Sequence, residues 1–469
     1  MKELKLLSLV LVAGTATMFT ACTSESDNSP SANISYESVA AAQQVPVAFS
    51  TYVGESAITR AGHTGAMDIF ELQTNGTGKA NGFGVYAYYT NNGDYDNDNA
   101  TVSLRSQVNF MWNQRVYDSS GSWYYTPKKY WPNETTNDSE ATGISTSTDK
   151  LTFFAYAPYV LANANGTLKN DGADPFDGQS HTESAAEVGI TGISSNECYG
   201  DPSINYTVAS DADNTVDLLW GVAGAANTTP IVNTSASPNN WNITAGMPFI
   251  NLVKPKLASS TTSSPISFTF KHALAKLTFS VQGAFDEVAP GTNDVDGSTR
   301  IVIESVAVTT EFYKNGVLNL NNTAANTPNW GTKTGTLSFT IGDDIVAGLK
   351  YSGTDTYASQ PTGVTNTKQY LMDAAGATKF FGLIPDNDKD INITITYHVY
   401  TVDSNLHDGW SKITNVITKK IDDFDAAAGN WYNINMILGM ESVAFEASVT
   451  PWSGENESTV DLPINVVAP

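Results

Sequence analysis

Cysteine, basic charge and long apolar runs are all scarce in this chain of 469 residues. There are two cysteines, Cys22 and Cys198. If Cys22 is modified, no intrachain disulfide is possible, and folding rests on buried cores. Cys198 stands beside Tyr199 with no histidine near it in sequence, which reads as a structural or incidental thiol. Lys and Arg number 24 against 48 Asp and Glu, for a formal net charge of −24. That balance argues against nucleic acid and against attraction to anionic lipid. The five histidines, His63, His181, His272, His398 and His407, have no metal-ligand spacing. G-x-S-x-G, H-E-x-x-H and P-loop patterns are missing. The reading is therefore a protein that is not an enzyme and holds no cofactor or metal. The apolar run Leu6 to Met18 is shorter than the roughly 20 residues that span a bilayer.

That run follows Lys2 and Lys5 and reads as a signal peptide over residues 1–21, outside the fold. It ends in Phe19-Thr20-Ala21-Cys22, which is similar to the bacterial lipobox, although leucine is usual where Phe19 stands. Cys22 would then be acylated and become the mature N-terminus. The other reading is an ordinary signal peptide with a coincidental cysteine. Residues 22–44, rich in Ser and Asn, read as a tether. Within it, Glu25 and Asp27 resemble a short surface-export signal.

Thr, Ser, Asn and Gly abound alongside aromatics, a mix suited to short strands joined by turns. Ile266, Phe268 and Phe270 alternate with polar residues, and so do Leu277, Phe279 and Val281. The first set is even-numbered and the second odd. One unbroken strand cannot hold both sets on one face, so the chain must bulge, turn or cross over between Lys271 and Lys276. We read this as the boundary between two antiparallel β-sandwich domains, 45–272 and 273–469. The first opens with a strand at 45–53, with Val45, Val47, Phe49 and Val53 on one face, followed by a loop at 54–62. Pro46 lacks an N–H, so this should be an edge strand. Further strands are expected at Val108 to Asn113, Ile301 to Thr309 and Ile391 to Tyr400, among others. The second domain closes on 459–468, where Val460, Leu462, Ile464 and Val466 alternate.

Trp112, Trp123, Tyr124, Tyr125, Tyr130 and Trp131 could form a carbohydrate platform, but aromatics on adjacent strands more often fill a core. Asp94, Asp96 and Asp98 begin like a calcium loop, yet Asn99 and Arg105 occupy the positions that need Gly and Glu. Asp386, Asp388 and Asp390 read as turn residues. Arg60 lies in a small-residue loop before Ala61-Gly62, the kind of segment proteases cut. An ordinary surface arginine is an equal reading.

Several motifs occur in order along the chain. They are Phe49-Ser50 with Thr59-Arg60-Ala61, Gly84-Val85-Tyr86-Ala87-Tyr88, Tyr130-Trp131-Pro132, Phe153-Phe154-Ala155-Tyr156, Phe270-Lys271-His272-Ala273-Leu274-Ala275-Lys276-Leu277, Ala428-Gly429-Asn430-Trp431-Tyr432 and Val449-Thr450-Pro451-Trp452. With the lipobox, they resemble the fimbrillin family, the lipoprotein pilins of Bacteroidota known as type V pili. The resemblance implies two transthyretin-like β-sandwiches and an all-β fold. It also implies export as a surface lipoprotein of the outer membrane and cleavage by an Arg-specific protease, here between Arg60 and Ala61. The chain would then polymerise by strand exchange into a fimbrium. The displaced strand would carry Val45, Val47, Phe49 and Val53, and the donor strand Val460, Leu462, Ile464 and Val466. Expected partners are other pilin subunits, the protease, and host or bacterial surface ligands. The alternatives are a tip adhesin or anchor of the same pilus, or a glycan-binding surface lipoprotein.

Overall fold

The computed structural model describes residues 46–53, 72, 82–98, 100, 103–119, 122–132, 136–137, 146–147, 149–169, 188–224, 243–253, 265–285, 297–373, 379–439, 443–452 and 460–461. The leader, Cys22, the tether, Val45, the loop at 54–62 with Arg60 and Ala61, and the tail residues Leu462, Ile464 and Val466 lie outside them.

In chain order the strands are β1 (Phe49–Val53), β2 (Phe83–Tyr89), β3 (Met111–Ser119), β4 (Ser122–Tyr124), β5 (Thr136–Asn137), β6 (Thr146–Ser147), β7 (Lys150–Ala157), β8 (Gly189–Ile193), β9 (Ser203–Thr207), β10 (Leu219–Ala223), β11 (Phe249–Val253) and β12 (Ile266–His272). The second half supplies β13 (Ala275–Gly283), β14 (Thr299–Ala324), β15 (Thr327–Ile341), β16 (Gln369–Tyr370), β17 (Phe381–Leu383), β18 (Asp386–Val402), β19 (Trp410–Ala426), β20 (Asn430–Leu438), β21 (Val443–Pro451) and β22 (Val460–Asp461). The architecture is all-β, as the alternation predicts.

Three sheets carry the fold. The first runs β1-β12-β10-β7-β2-β3-β4, with β11 also on β7. The second runs β16-β13-β20-β21-β22, with β17 on β13. The third runs β19-β18-β14-β9-β8, with β15 on β14. The change of phase after His272 is a crossover: β12 lies in the first sheet and β13 in the second. Most pairings are antiparallel, but β1 runs parallel to β12 and β13 parallel to β20.

The halves on either side of residue 272 share a layer. β9 pairs with Ser203–Thr207 against Asn315–Asn319 of β14, so strands of the first half complete the third sheet. The first sheet is apolar on both faces, as the burial of every residue in Phe83–Tyr88 requires. One face holds a core of its own that includes Phe49, Phe83, Phe153 and Phe268. On the other face, Tyr86, Phe154, Tyr156 and Trp220 join Ile204 and Tyr206 of the third sheet. That core runs on through Leu277, Phe279, Ile301 and Ile434.

Local chemistry sets these close approaches. A Cβ on Gly84 would come within 2.2 Å of the Tyr156 ring, so only glycine fits under that side chain. The Tyr156 hydroxyl donates to Asn113 Oδ1 at 2.6 Å, and Asn113 Nδ2 donates to the Val160 carbonyl at 2.9 Å. Asn113 adopts φ 43°, a left-handed value that asparagine tolerates, beside the register shift between Val85 and Ala87.

Three expectations need correction. The strand expected at Val108 to Asn113 begins at Met111, because Phe110 N donates to the Ala87 carbonyl outside the regular ladder. Asp386 and Asp390 do not form a turn but open β18, which absorbs Asp388 at φ 54° as a bulge. Asp386 is held there by Lys333 at 3.3 Å and Asp390 by Lys420. The strand expected at Ile301 to Thr309 lies near the start of the 26-residue β14, which runs on to Ala324.

Phe268 packs against Phe49, Phe83, Phe249 and Phe270 with ring centroids 5.2 to 6.2 Å away. Phe268→Ala should lower the unfolding free energy by about 3 to 5 kcal/mol, read from denaturant midpoints. A change below about 1 kcal/mol would mean that this core is not close-packed.

Candidate assembly site

Three features bear on the sequence expectations for assembly: the first strand, the crossover and the beginning of the tail. β1 lies at the end of its sheet. Its partners along β12 run from Phe49 with Ile266 to Val53 with Phe270, and Ile266 N donates to the Ala48 carbonyl at 2.8 Å. Among the described residues the ladder starts at Phe49. Before it, Pro46 bridges to Tyr130, and Val47 N donates to the Lys129 carbonyl at 2.9 Å. Tyr125 OH donates to the Val47 carbonyl at 2.7 Å. The segment is therefore held on one side by β12 and on the other by the chain that follows β4. Val47 and Phe49 are buried. The Phe49 ring lies 5.4 Å from Tyr125, 5.9 Å from Phe153 and 6.2 Å from Phe268.

The crossover brings the sequence motifs together. His272 ends β12, and its Nδ1 lies 2.8 Å from Oδ2 of the buried Asp217. Its ring stacks on Trp452, with centroids 3.9 Å apart and planes 4° from parallel. Trp452 also meets Phe380 edge-on at 5.2 Å, and its backbone N donates to the Gly429 carbonyl at 2.7 Å. Gly429 N in turn donates to the Leu274 carbonyl at 2.9 Å. Thus F-K-H-A-L-A-K-L, A-G-N-W-Y and V-T-P-W, far apart in sequence, are one contact in space. Asp217 is the participant that sequence reasoning missed. Its only signal was a carboxylate just before the apolar Leu218 and Leu219.

Lys276, two residues beyond Leu274, is buried. Its ammonium lies 4.3 Å from the Trp431 ring centroid and 5.3 Å from that of Phe380. Burial pushes it down to about 8, opposed by the charges of Asp373 and Asp217. The tail follows Trp452, and β22 pairs antiparallel with β21, Val460 facing Val449 and Asp461 facing Ser448.

The other candidates disperse. Tyr125 and Trp131 are buried, Trp112 and Trp123 half-buried, and Tyr124 and Tyr130 exposed, so the six aromatics make no common platform. Trp112 Nε1 donates to the Ser194 carbonyl at 2.9 Å. In the acidic loop, Asp96 and Asp98 each accept a backbone N–H two residues on, at 3.0 and 2.9 Å, and Asp94 pairs with Lys150. Among the described residues no cluster of three His, Cys, Asp or Glu could hold a metal ion. Cys198 is half-buried, and burial raises its thiol pKa.

A curated relative, fimbrium subunit Fim1C of Phocaeicola vulgatus, is 22% identical over 428 residues, covering 84% of this chain and 90% of that protein. The chain is thus similar to a fimbrium subunit over most of its length. A solved fimbrial protein from Bacteroides vulgatus covers 87% of this chain and 100% of its own, at 18% identity and a TM-score of 0.49. No family model matches.

Two outcomes follow for this fimbrillin-like chain. His272→Ala and Trp452→Ala should each destabilise it by about 2 to 4 kcal/mol, and the double variant by clearly less than their sum, because each removes the same stack. Additive losses would disprove the coupling. The Lys276 value lies below the ordinary 10.5, so the folded state loses this proton first as pH rises. The burial penalty is present in full below about pH 8 and disappears toward 10.5. Across that window the wild type should gain up to about 3 kcal/mol relative to Lys276→Met. Parallel stability profiles would refute the assignment.

Proposed function

We propose that this chain is a structural subunit of a surface pilus, exported as a lipoprotein, processed after Arg60 and polymerised by strand exchange. The pilus assignment draws support from its likeness to a fimbrium subunit. The observation that carries the exchange is the position of β1 at the end of its sheet, with Phe49 set among Tyr125, Phe153 and Phe268.

Cleavage after Arg60 would separate β1 covalently from the rest of the fold. Its departure would leave the Ile266–Phe270 edge with unpaired backbone groups above an aromatic groove, which favours refilling by another strand. Val47 and Phe49 would each give up about 1.5 to 3 kcal/mol of burial, which a donor strand recovers with its own apolar residues. Val460, Leu462, Ile464 and Val466 have the spacing to do so. Pro463 has no N–H, which restricts the donor to registers where that position faces away from the ladder.

Among the described arginines, Arg115 is buried and the Arg300 guanidinium stacks over Tyr357, whereas Arg105 is exposed in a loop. Arg105 is therefore the competing cleavage site. Treatment with an Arg-specific protease should yield an N-terminus at Ala61 and ladders of oligomers, and Arg60→Ala should abolish both. Ladders of wild-type intensity from Arg60→Ala, or a new N-terminus only at Ser106, would refute the processing step.

A further inference from the structure

We propose that β19 is a lateral docking edge for a second copy of this chain, the two β19 strands pairing antiparallel about a two-fold axis at Ile417. The inference stands apart from the donor-strand reading. β19 is 17 residues long, carries no proline and ends the third sheet. Among the described residues it pairs with β18 alone. Edges of this length are ordinarily shortened, bulged or covered, because their backbone groups accept another strand.

The pairing with β18 fixes which face each side chain takes. Ile413, Ile417 and Ile421 oppose Val399, Ile395 and Ile391, which are buried, so the three isoleucines project from the core face. Cover runs out along them: Ile421 is buried, Ile417 half-buried and Ile413 49% exposed. Val416, on the other face, is 64% exposed. The core therefore ends in mid-strand and leaves apolar surface beside an open ladder. Past Ile421 the pairing with β18 shifts and Asp423 takes φ 53°, so the strand bends and the straight edge stops.

Parity and charge select the occupant. A two-fold axis normal to the sheet keeps each face continuous, so it must set some residue opposite its own equivalent. Centred on Ile417, it sets Ile413 opposite Ile421 of the second copy and Lys412 opposite Asp422. Lys419 then meets Asn415, and Lys420 meets Thr414. Centred on Val416, the axis would oppose Lys412 to Lys420; centred on Thr418, it would set Lys419 against Ile417 and Lys420 against Val416. Centred on Asn415, it leaves Ile421 opposite Gly409 and pairs no charges. Within one copy Lys412 pairs with Asp355, and Lys420 with Asp390 and Asp422, so the cross-axis pairs extend these groups. Exposed ion pairs add little affinity, but like charges directly opposed are penalised, so the lysines act on register. The edge is complementary to itself in one register, which argues for a second copy over an unrelated strand. Ile413 to Ile421 supply about 30 Å of added ladder.

The test uses the full chain with Cys22 and Cys198 changed to Ser, in which Val416→Cys and Thr418→Cys are made singly and then mixed. Both positions are exposed. The register opposes them across the axis with Cα atoms about 4.5 to 5.5 Å apart, within reach of a disulfide. Mild oxidation should join the two variants, by peptide mass, at least about tenfold more than it joins either variant to itself. The same excess should hold over a mixture of Val416→Cys with Thr414→Cys, the pair opposed in the register centred on Asn415. Adding Ile413→Lys to both variants should lower the yield by a similar factor. Equal yields across the mixtures, no mixed disulfide, or a yield insensitive to Ile413→Lys would overturn the lateral contact. No protease is present in these mixtures, so either outcome leaves the processing after Arg60 to its own test.

Discussion

The contact between His272 and Trp452 holds together four parts of the chain that sequence keeps far apart. His272 closes the first sheet, Asp217 precedes β10, Gly429 precedes β20, and Trp452 is where the tail departs. Ala273 and Leu274 cross between sheets in full burial, where an unmet backbone group would cost about 1 to 3 kcal/mol. Their polar groups are met from three directions. Ala273 N donates to the Leu218 carbonyl, Trp330 Nε1 donates to the Ala273 carbonyl at 2.8 Å, and Gly429 N donates to the Leu274 carbonyl. The crossover is thereby fixed by both halves at once, and the stack closes it from the side of the tail.

The second constraint is the shared third sheet. β14 carries 26 residues, pairs with β18 along its first part and with β9 further on, and so spans both halves. At its far end Asn322 Nδ2 donates to the Gly246 carbonyl at 2.7 Å. The large core under this sheet contains no residue of β1, whereas Val47 and Phe49 belong to the separate core inside the first sheet. Loss of β1 would therefore open one core and leave the other closed. That separation makes a removable strand compatible with a fold that has no disulfide among its described residues.

The sequence was most legible where one face meets a core and the other meets solvent. The alternation in Ile391–Val399 marks β18, and the phase change at Lys271 to Lys276 marks the crossover. β19, by contrast, was missed, because at the sheet edge only Ile421, Phe424 and Ala426 are buried and its remaining sequence reads as polar loop. β8 and β9 were missed because Gly189–Ile193 and Ser203–Thr207 show no sustained alternation of apolar and polar residues. The parallel direction of β1 on β12 is a property of topology, which periodicity does not encode. His272 lies at this crossover, but its partners come from residues 55 positions before and 180 after it, which no local pattern encodes.

The joint also bears on where the tail can go. Trp452 is buried, stacked and hydrogen-bonded, so the seven residues between it and Val460 start from a fixed point. At about 3.3 Å per residue they reach at most some 25 Å, which confines the tail's first contacts to the nearby edges. β21 is the edge it meets first, and pairing there is intramolecular, with the high effective concentration that a short tether provides. On the proposed donor reading, a neighbour's groove would compete with that advantage through the quality of its burial. Phe49 shows what the groove can offer: an aromatic ring on three sides of the inserted side chain. The edge of β21 offers Val443, Phe445 and Ala447 on one face only.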